Sequence, residues 1–293
     1  MGILQRGCGL MKQKAFFKYK TSNILVEIIL IIVAIMFLFP LLWMLCASFY
    51  DTTQASQYPP KLLPDPISLR SYLYVFSDKR IPRYFLNTFL LTVICVVGTL
   101  ITASLTAFGF AKLKSRFKNI LFFILLSTMM IPSSVTLLPT YTIFSKFGLV
   151  NTYWPLIIPS LFGGGAFYIF LLRQFFAAIP NELSEAAIVD GCSWFGVFWK
   201  VVFPNAKPAL IVVVINQFVY SWNDYFAPMI YLQQPEKYTV SLGISFFKSM
   251  YGSMIDVGPM MAVAMLAIVP ILILYISCQK YFIEGVVTSG IKG

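Results

Sequence analysis

Ile179-Pro180-Asn181-Glu182-Leu183-Ser184-Glu185-Ala186-Ala187-Ile188-Val189-Asp190-Gly191-Cys192-Ser193, running on through Trp194 to Val202 and closing with Phe203-Pro204, interrupts the long apolar blocks of this chain. The segment predicts two short helices with a hinge. Asn181 is placed to cap the first, Glu182 and Glu185 suit its positive N-terminal end, and Gly191 stops it. Ser193 is placed to cap the second, which Pro204 ends. On the first helix Leu183, Ala186 and Ala187 share one face at i, i+3 and i+4. The two alanines leave a surface that another protein can approach closely. The same pattern fits an amphipathic helix lying at the level of lipid headgroups, and pattern alone does not choose between the two.

Outward from this segment the chain is apolar. Of its 293 residues 59% are hydrophobic, 17% aromatic and only 11% charged, far from the quarter or so of charged residues in soluble domains. Six blocks can cross a hydrocarbon core of about 30 Å, which takes about 20 helical residues. They run approximately over 24–49, 84–111, 120–138, 154–176, 209–230 and 259–282. The first is too long for the apolar region of a signal peptide and has no small-residue cleavage site after it, so it reads as an anchor. The expected fold is an all-α integral membrane protein with six transmembrane helices. A basic N-terminal segment (1–23) precedes a transmembrane domain (24–293), and the two-helix segment 181–204 lies between spans four and five.

The net charge of +11 would suit nucleic acid in a soluble protein. Here Lys and Arg gather in short segments beside the apolar blocks, which is how orientation is written in membrane proteins. One set of alternate segments holds Arg6, Lys12, Lys14, Lys18 and Lys20, then Lys112, Lys114, Arg116 and Lys118, then Arg173, Lys200 and Lys207, then Lys280 and Lys292, fourteen in all. The other set holds eight: Lys61, Arg70, Lys79, Arg80, Arg83, Lys146, Lys237 and Lys248. Both termini and the 181–204 segment are therefore expected in the cytoplasm, and nucleic acid is not an expected partner. The five cysteines are scattered and the chain has no histidine, so no metal site is expected. Cys46, Cys95 and Cys278 read as small apolar fillers; Cys8 and Cys192 have no assigned role.

Several spans carry helix disturbers: Pro40, Pro132, Pro159 with Gly163-Gly164-Gly165, and Pro270. Such residues persist where neighbours or a water-lined cavity satisfy the freed backbone groups, which favours a bundle around a path. Close helix packing through glycine is the alternative for the triple glycine. On the fifth span Asn216, Gln217, Tyr220, Ser221, Asn223 and Asp224 fall within an arc of roughly 160° at about 100° per residue. That polar face is the candidate surface for a hydroxyl-rich substrate. Trp222 points away from it and reads as a packing or interface aromatic. Asp224 either faces a cavity, as intramembrane acids usually do, or helps fold the loop that follows. Glu27 reads as an interface residue reaching water.

The segment at 185–204 resembles the EAA motif of the permeases of ATP-binding-cassette (ABC) importers, at Glu185, Ala186, Ala187, Gly191 and Pro204. Ile179-Pro180, Glu182-Leu183 and Asp190-Gly191 resemble its maltose and multiple-sugar branch. Cys192 stands where a small Ala is usual, and Phe203 where Leu commonly precedes the proline. The likeness extends from about Ile24 to the end: Asn87-Thr88, Ala107-Phe108-Gly109-Phe110-Ala111-Lys112, Met130-Ile131-Pro132, Trp222-Asn223-Asp224, and the tail from Gln279 to Gly285 with Ile291-Lys292-Gly293. The resemblance implies a type I importer permease in a bacterial cell membrane. It further implies a sister permease, two ATPase subunits holding ATP and magnesium, and an extracellular binding protein that delivers a sugar. Glu185, Ala186, Ala187, Asp190, Gly191 and Pro204 would then couple this chain to the ATPase, and Asn216, Gln217, Tyr220, Asn223 and Asp224 would line the substrate path. The chain has no G-x-x-x-x-G-K-[ST] phosphate loop, so ATP hydrolysis is expected on another chain, with no cofactor on this one. A permease for a glycerol phosphate ester is the alternative within the branch. A secondary transporter would be expected to show inverted repeats or several intramembrane charges, and the polar face of the fifth span argues against a scaffold without a path.

Overall fold

The computed structural model describes residues 3–55, 57, 59, 61–250 and 257–290, with side chains described for 24–54, 57, 59, 61–245 and 257–279. The side chains of the N-terminal basic residues, of Cys8, Lys248 and Lys280 and of the tail therefore lie outside the description, as does Lys292 altogether. Every element among the described residues is helical. By contact the chain divides into two compact units, Met1–Leu73 with Met254–Met265, and Tyr74–Ser253 with Leu266–Gly293.

The first unit is dominated by α1 (Ile3–Ser48), 46 residues long with Pro40 inside it. The helix starts well before the expected boundary near residue 24 and passes from the basic segment into the apolar one without a break. From Ile24 to Phe39 its large apolar side chains are exposed, the pattern of a helix whose solvent is lipid or another membrane chain. A small polar knot follows its end. Ser48 Oγ donates to Leu45 O (2.6 Å) and accepts from Tyr72 OH (2.9 Å), Ser68 N donates to Phe49 O (2.9 Å), and the Tyr50 hydroxyl donates to Lys61 O.

The spine of the second unit is α3 (Arg80–Lys112), preceded by α2 (Arg70–Ser77). The chain continues as α4 (Lys118–Ser127), α5 (Ser133–Lys146), α6 (Trp154–Leu161) and α7 (Ala166–Ala178). Then come α8 (Asn181–Val189) and α9 (Trp194–Val197). Finally there are α10 (Lys207–Asn223), α11 (Phe226–Tyr231), α12 (Val240–Met250) and α13 (Val257–Gly290). Small side chains on α3, among them Ala103 and Ala107, let α7 and the stretch after α9 come close. Around them Phe108, Leu172, Phe176, Val197, Phe198, Val202, Ala209 and Val213 make one buried core.

Among the described residues four helical stretches are long and apolar enough to cross a membrane, or up to six if each bent pair is one span. The third block is not the continuous helix expected over 120–138. Its two halves, Lys118–Met130 and Ser133–Lys146, meet at 100°. Pro132 causes the bend: it has no N–H to continue the ladder, and it holds Ile131 in extended backbone (φ −82°, ψ 117°). The fifth block also ends earlier than expected, because the chain becomes extended at Asp224 (ψ 117°) before α11 starts.

In the fourth block α6 and α7 are separated by Phe162–Gly165, and α3 threonines satisfy the break. Thr102 Oγ1 accepts from Gly163 N (3.0 Å), while Thr99 Oγ1 reaches Ser160 O at 3.3 Å. The triple glycine is thus packed against a neighbouring helix. Near the start of α3, Asn87 Nδ2 donates to Glu236 O and Tyr238 O, both at 3.0 Å, and Thr88 Oγ1 accepts from Val240 N (2.8 Å).

Candidate functional site

The segment after α7 folds as two short helices with a hinge, and its local bonds explain why. Asn181 does not cap α8: the capping position is Pro180, and Asn181 Oδ1 instead accepts from Lys112 Nζ (2.9 Å). The same ammonium donates to Ile179 O, so the end of α3 holds the start of α8. At the other end Gly191 takes left-handed backbone (φ +84°). Gly191 N donates to Ile188 O and Cys192 N to Ala187 O, both at 2.9 Å, the paired bonds of a Schellman stop. Ser193 Oγ caps α9 by accepting from Gly196 N (3.2 Å).

Pro204 does not end the second helix. After α9 the backbone widens into a π turn, Phe198–Val202, and Pro204 lies in the last turn, Phe203–Asn205. The wider turn relieves the clash between the proline ring and the preceding carbonyls. The helix stops at Ala206, and Lys207–Asn223 leaves at 81° to it.

On α8 the buried side is Ser184 (3% exposed) with Ala187 packed on the core, while Leu183, Glu185, Ala186, Val189 and Asp190 are exposed. The expected face of Leu183, Ala186 and Ala187 therefore divides: Leu183 and Ala186 look outward with Val189, and Ala187 serves the chain's own packing. Cys192 also packs against this core.

The polar arc of α10 divides as well. Gln217 is 2% exposed; its Nε2 donates to Ser221 Oγ (3.0 Å) and lies 3.4 Å from Ser160 Oγ. Asn216, Tyr220 and Asn223 are exposed, and the two asparagine amides donate back to Val212 O (2.9 Å) and Val219 O (3.0 Å). Asp224 does both things expected of it. Its Oδ1 accepts from Ala227 N (3.2 Å) at the start of α11, and it lines a cavity of about 150 Å³ with Cys95, Ser160, Gln217 and Tyr220. Trp222 is buried, stacked on Phe218 at 5.4 Å, with Nε1 donating to Ala267 O (2.9 Å). No residue of this cavity belongs to the 181–204 segment.

Sequence reasoning missed Lys112 as a clamp and the threonines of α3 as partners of the broken block. The signal for the latter was the recurrence of Thr88, Thr92, Thr99, Thr102 and Thr106 in a largely apolar helix. Asn151 carried no such signal; its left-handed backbone (φ 61°) places Oδ1 to accept from Gln233 N (3.1 Å) and Gln234 N (3.2 Å).

The model of the binding-protein-dependent transport system inner membrane component family matches residues 99–287. The chain belongs to this family. The permease is 32% identical to the arabinooligosaccharides transport system permease AraQ of Halalkalibacterium halodurans, over 94% of this chain and 100% of the relative. It is 28% identical to the sn-glycerol-3-phosphate transport system permease UgpE of Yersinia pestis, over 91% of this chain and 96% of the relative. Its fold matches a chain of a bacterial ABC transporter that imports the acidic polysaccharide alginate, with a TM-score of 0.80, 27% identity, and coverage of 90% of this chain and 97% of that one. The permease is a multi-pass membrane protein with the fold of ABC importer permeases.

Proposed function

We propose that this permease carries an oligosaccharide from an extracellular binding protein into the cytoplasm, beside a sister permease and driven by two ATPase subunits on separate chains. The observation that carries the reading is full-length similarity to an arabinooligosaccharide permease. The geometry supports a division of labour. Helix α8 is short, stopped by a Schellman turn and clamped by Lys112, so a push on its exposed Leu183, Ala186 and Val189 is passed to α3 as a rigid body. Glu185, Asp190 and Gly191 complete that ATPase-coupling surface, with Ala187 holding it to the bundle and Pro204 in the last turn before the chain leaves for α10. The ATPase chains would hold the ATP and magnesium, and this chain would hydrolyse nothing. The open edge of α10, with Asn216, Tyr220, Asn223 and Asp224, faces the substrate path; Gln217 sets it against α6. Hydroxyl-rich substrates suit such a lining because amides, a phenol and a carboxylate exchange hydrogen bonds with them.

Full-length chain purified from membranes should bring down an ATPase and a second permease, and vesicles holding that complex with its binding protein should accumulate an arabinooligosaccharide only with ATP. Elution of the chain alone, or ATP-independent uptake, overturns the reading. Glycerol 3-phosphate, suggested by the similarity to UgpE, is measured in the same assay. Orientation rests on the fourteen-to-eight division of basic residues. A cysteine at Pro235 should react from outside and one at Ser115 should not.

A further inference from the structure

We propose that the groove between the α3–α4 turn and α8 binds the phosphate of an anionic phospholipid of the cytoplasmic leaflet, and that the lipid braces α8 against the bundle. The groove has a volume of about 620 Å³ and is lined by Lys112, Lys114 and Lys118 from one side, by Asn181, Ser184, Glu185 and Ile188 from α8, and by Trp194. Glu185 lines it, and Glu182 acts on Lys112 through its charge; three ammonium groups still outnumber two carboxylates.

Two independent observations point to an anion here. Ser184 is 3% exposed, yet its hydroxyl has no partner in the protein, and it lines the groove. A buried hydroxyl without a partner carries a desolvation cost, which a phosphate oxygen would remove by accepting from it. Lys112 and Lys118 are half-buried rather than extended into water, with Lys118 Nζ donating to Leu113 O (3.2 Å); each ammonium keeps a donor free of the bonds named here.

The position selects a lipid as the source of that phosphate. The groove sits where α3 ends at Lys112, so it lies at the boundary of the hydrocarbon. On α4, which leaves the same turn, Ile120 (59%), Leu121 (53%) and Ile124 (56%) are exposed, with Phe117 (59%) just before it, an apolar strip along which acyl chains can lie. Trp194, Phe195 and Trp199 are also exposed beside it, aromatics of the kind that settle at headgroup level. Basic pockets between membrane helices on the cytoplasmic side take anionic headgroups on this physical basis.

The inference rests on the orientation and docking proposed above, so its primary measurement avoids them: lipid retained by the chain as purified from membranes with whatever partners it keeps, read by mass spectrometry. Wild type should retain phosphatidylglycerol in preference to phosphatidylcholine. Lys114→Gln and Lys118→Gln should each weaken retention about fivefold, Ser184→Ala should weaken it less, and Lys118→Arg should retain the lipid. Arg116→Gln removes a charge from the same turn but does not line the groove, and should behave as wild type. Equal loss in Arg116→Gln would mean diffuse attraction to the charged turn and would overturn the site. Full displacement by inorganic phosphate or glycerol phosphate would show a soluble-anion site and overturn the lipid assignment. In the reconstituted complex, phosphatidylglycerol should tighten coupling of ATP hydrolysis to uptake in wild type and in Arg116→Gln but not in Lys118→Gln; equal coupling in all three overturns the bracing role. Failure to obtain any complex speaks against the docking reading and leaves the retention measurement intact.

Discussion

Gly164 and Gly191 share a left-handed backbone, φ +64° and +84°, and differ in what surrounds them. A Cβ on Gly164 would lie 2.6 Å from Thr99 Cγ2, on a side chain that is itself fully buried, whereas a Cβ on Gly191 would meet nothing within 4 Å. The first glycine lets a broken helix sit directly on α3. The second only lets a surface helix stop. One type of residue thus locks the bundle in one place and ends an exposed surface helix in the other.

The largest effect expected from this contrast is at Gly164. Gly164→Val adds about 1–2 kcal/mol of left-handed strain and about 1–3 kcal/mol of overpacking, and should abolish recovery of folded complex. Thr99→Ala in the same chain should restore part of it by removing the clash. Normal yield of the single variant, measured by size-exclusion chromatography, would mean that the break is not packed as described.

Gly191→Val bears only the strain of about 1–2 kcal/mol. It should assemble, yet hydrolyse ATP with uptake reduced, because the Schellman turn that ends α8 is disturbed. Gly191→Asn should stay close to wild type, since asparagine tolerates this backbone. If the valine variant fails to assemble, Gly191 belongs with Gly164 and the contrast fails.

The same locked-versus-open division runs along α10. Gln217→Ala removes a buried amide bonded to Ser221 and should destabilise the complex by about 1–3 kcal/mol. Tyr220→Ala and Asn223→Ala, on the open edge, should lower uptake with the complex assembled and its ATPase active. Loss of assembly in the latter pair would make the whole arc structural.

The smallest effect is expected just before α3, where Asp78 accepts from Arg80 Nη2 at 2.6 Å. That hydrogen bond holds the Asp78 carboxyl below its ordinary value, against a smaller opposing effect of burial. Its stabilisation is present above the ordinary carboxylate pKa of about 3.9 and is lost as pH falls through the lower, folded value. Asp78→Asn should cost no more than about 1 kcal/mol and flatten thermal stability against pH at the acid end.

The 181–204 segment was legible in the sequence because its signals are local: Gly191 and Ser193 act within four residues of themselves, and the structure uses both as expected. Asn181 misled for the same reason. Its capping potential is local, but Lys112, far away in sequence, claims its side-chain oxygen. The polar arc of α10 was legible as an arc, since helical period fixes which residues share a side. Its division into a buried Gln217 and an open Tyr220 was not, because that depends on where α6 packs.

Apolar block length and the EAA pattern determined the membrane class, the helical fold and the family of this protein without any coordinates. The first two follow from a cost that acts wherever the residue sits: polar backbone in hydrocarbon must bond within its own helix; the family follows from a local pattern, Glu185-Ala186-Ala187 with Gly191 and Pro204. Pro132 marked the third block as disturbed, though not that it bends by 100°; the tertiary structure alone decided that α3 threonines satisfy the glycine break, and that Ala187 faces inward while Ala186 faces out. These depend on which helix lies alongside, and a sequence read one segment at a time does not hold that information.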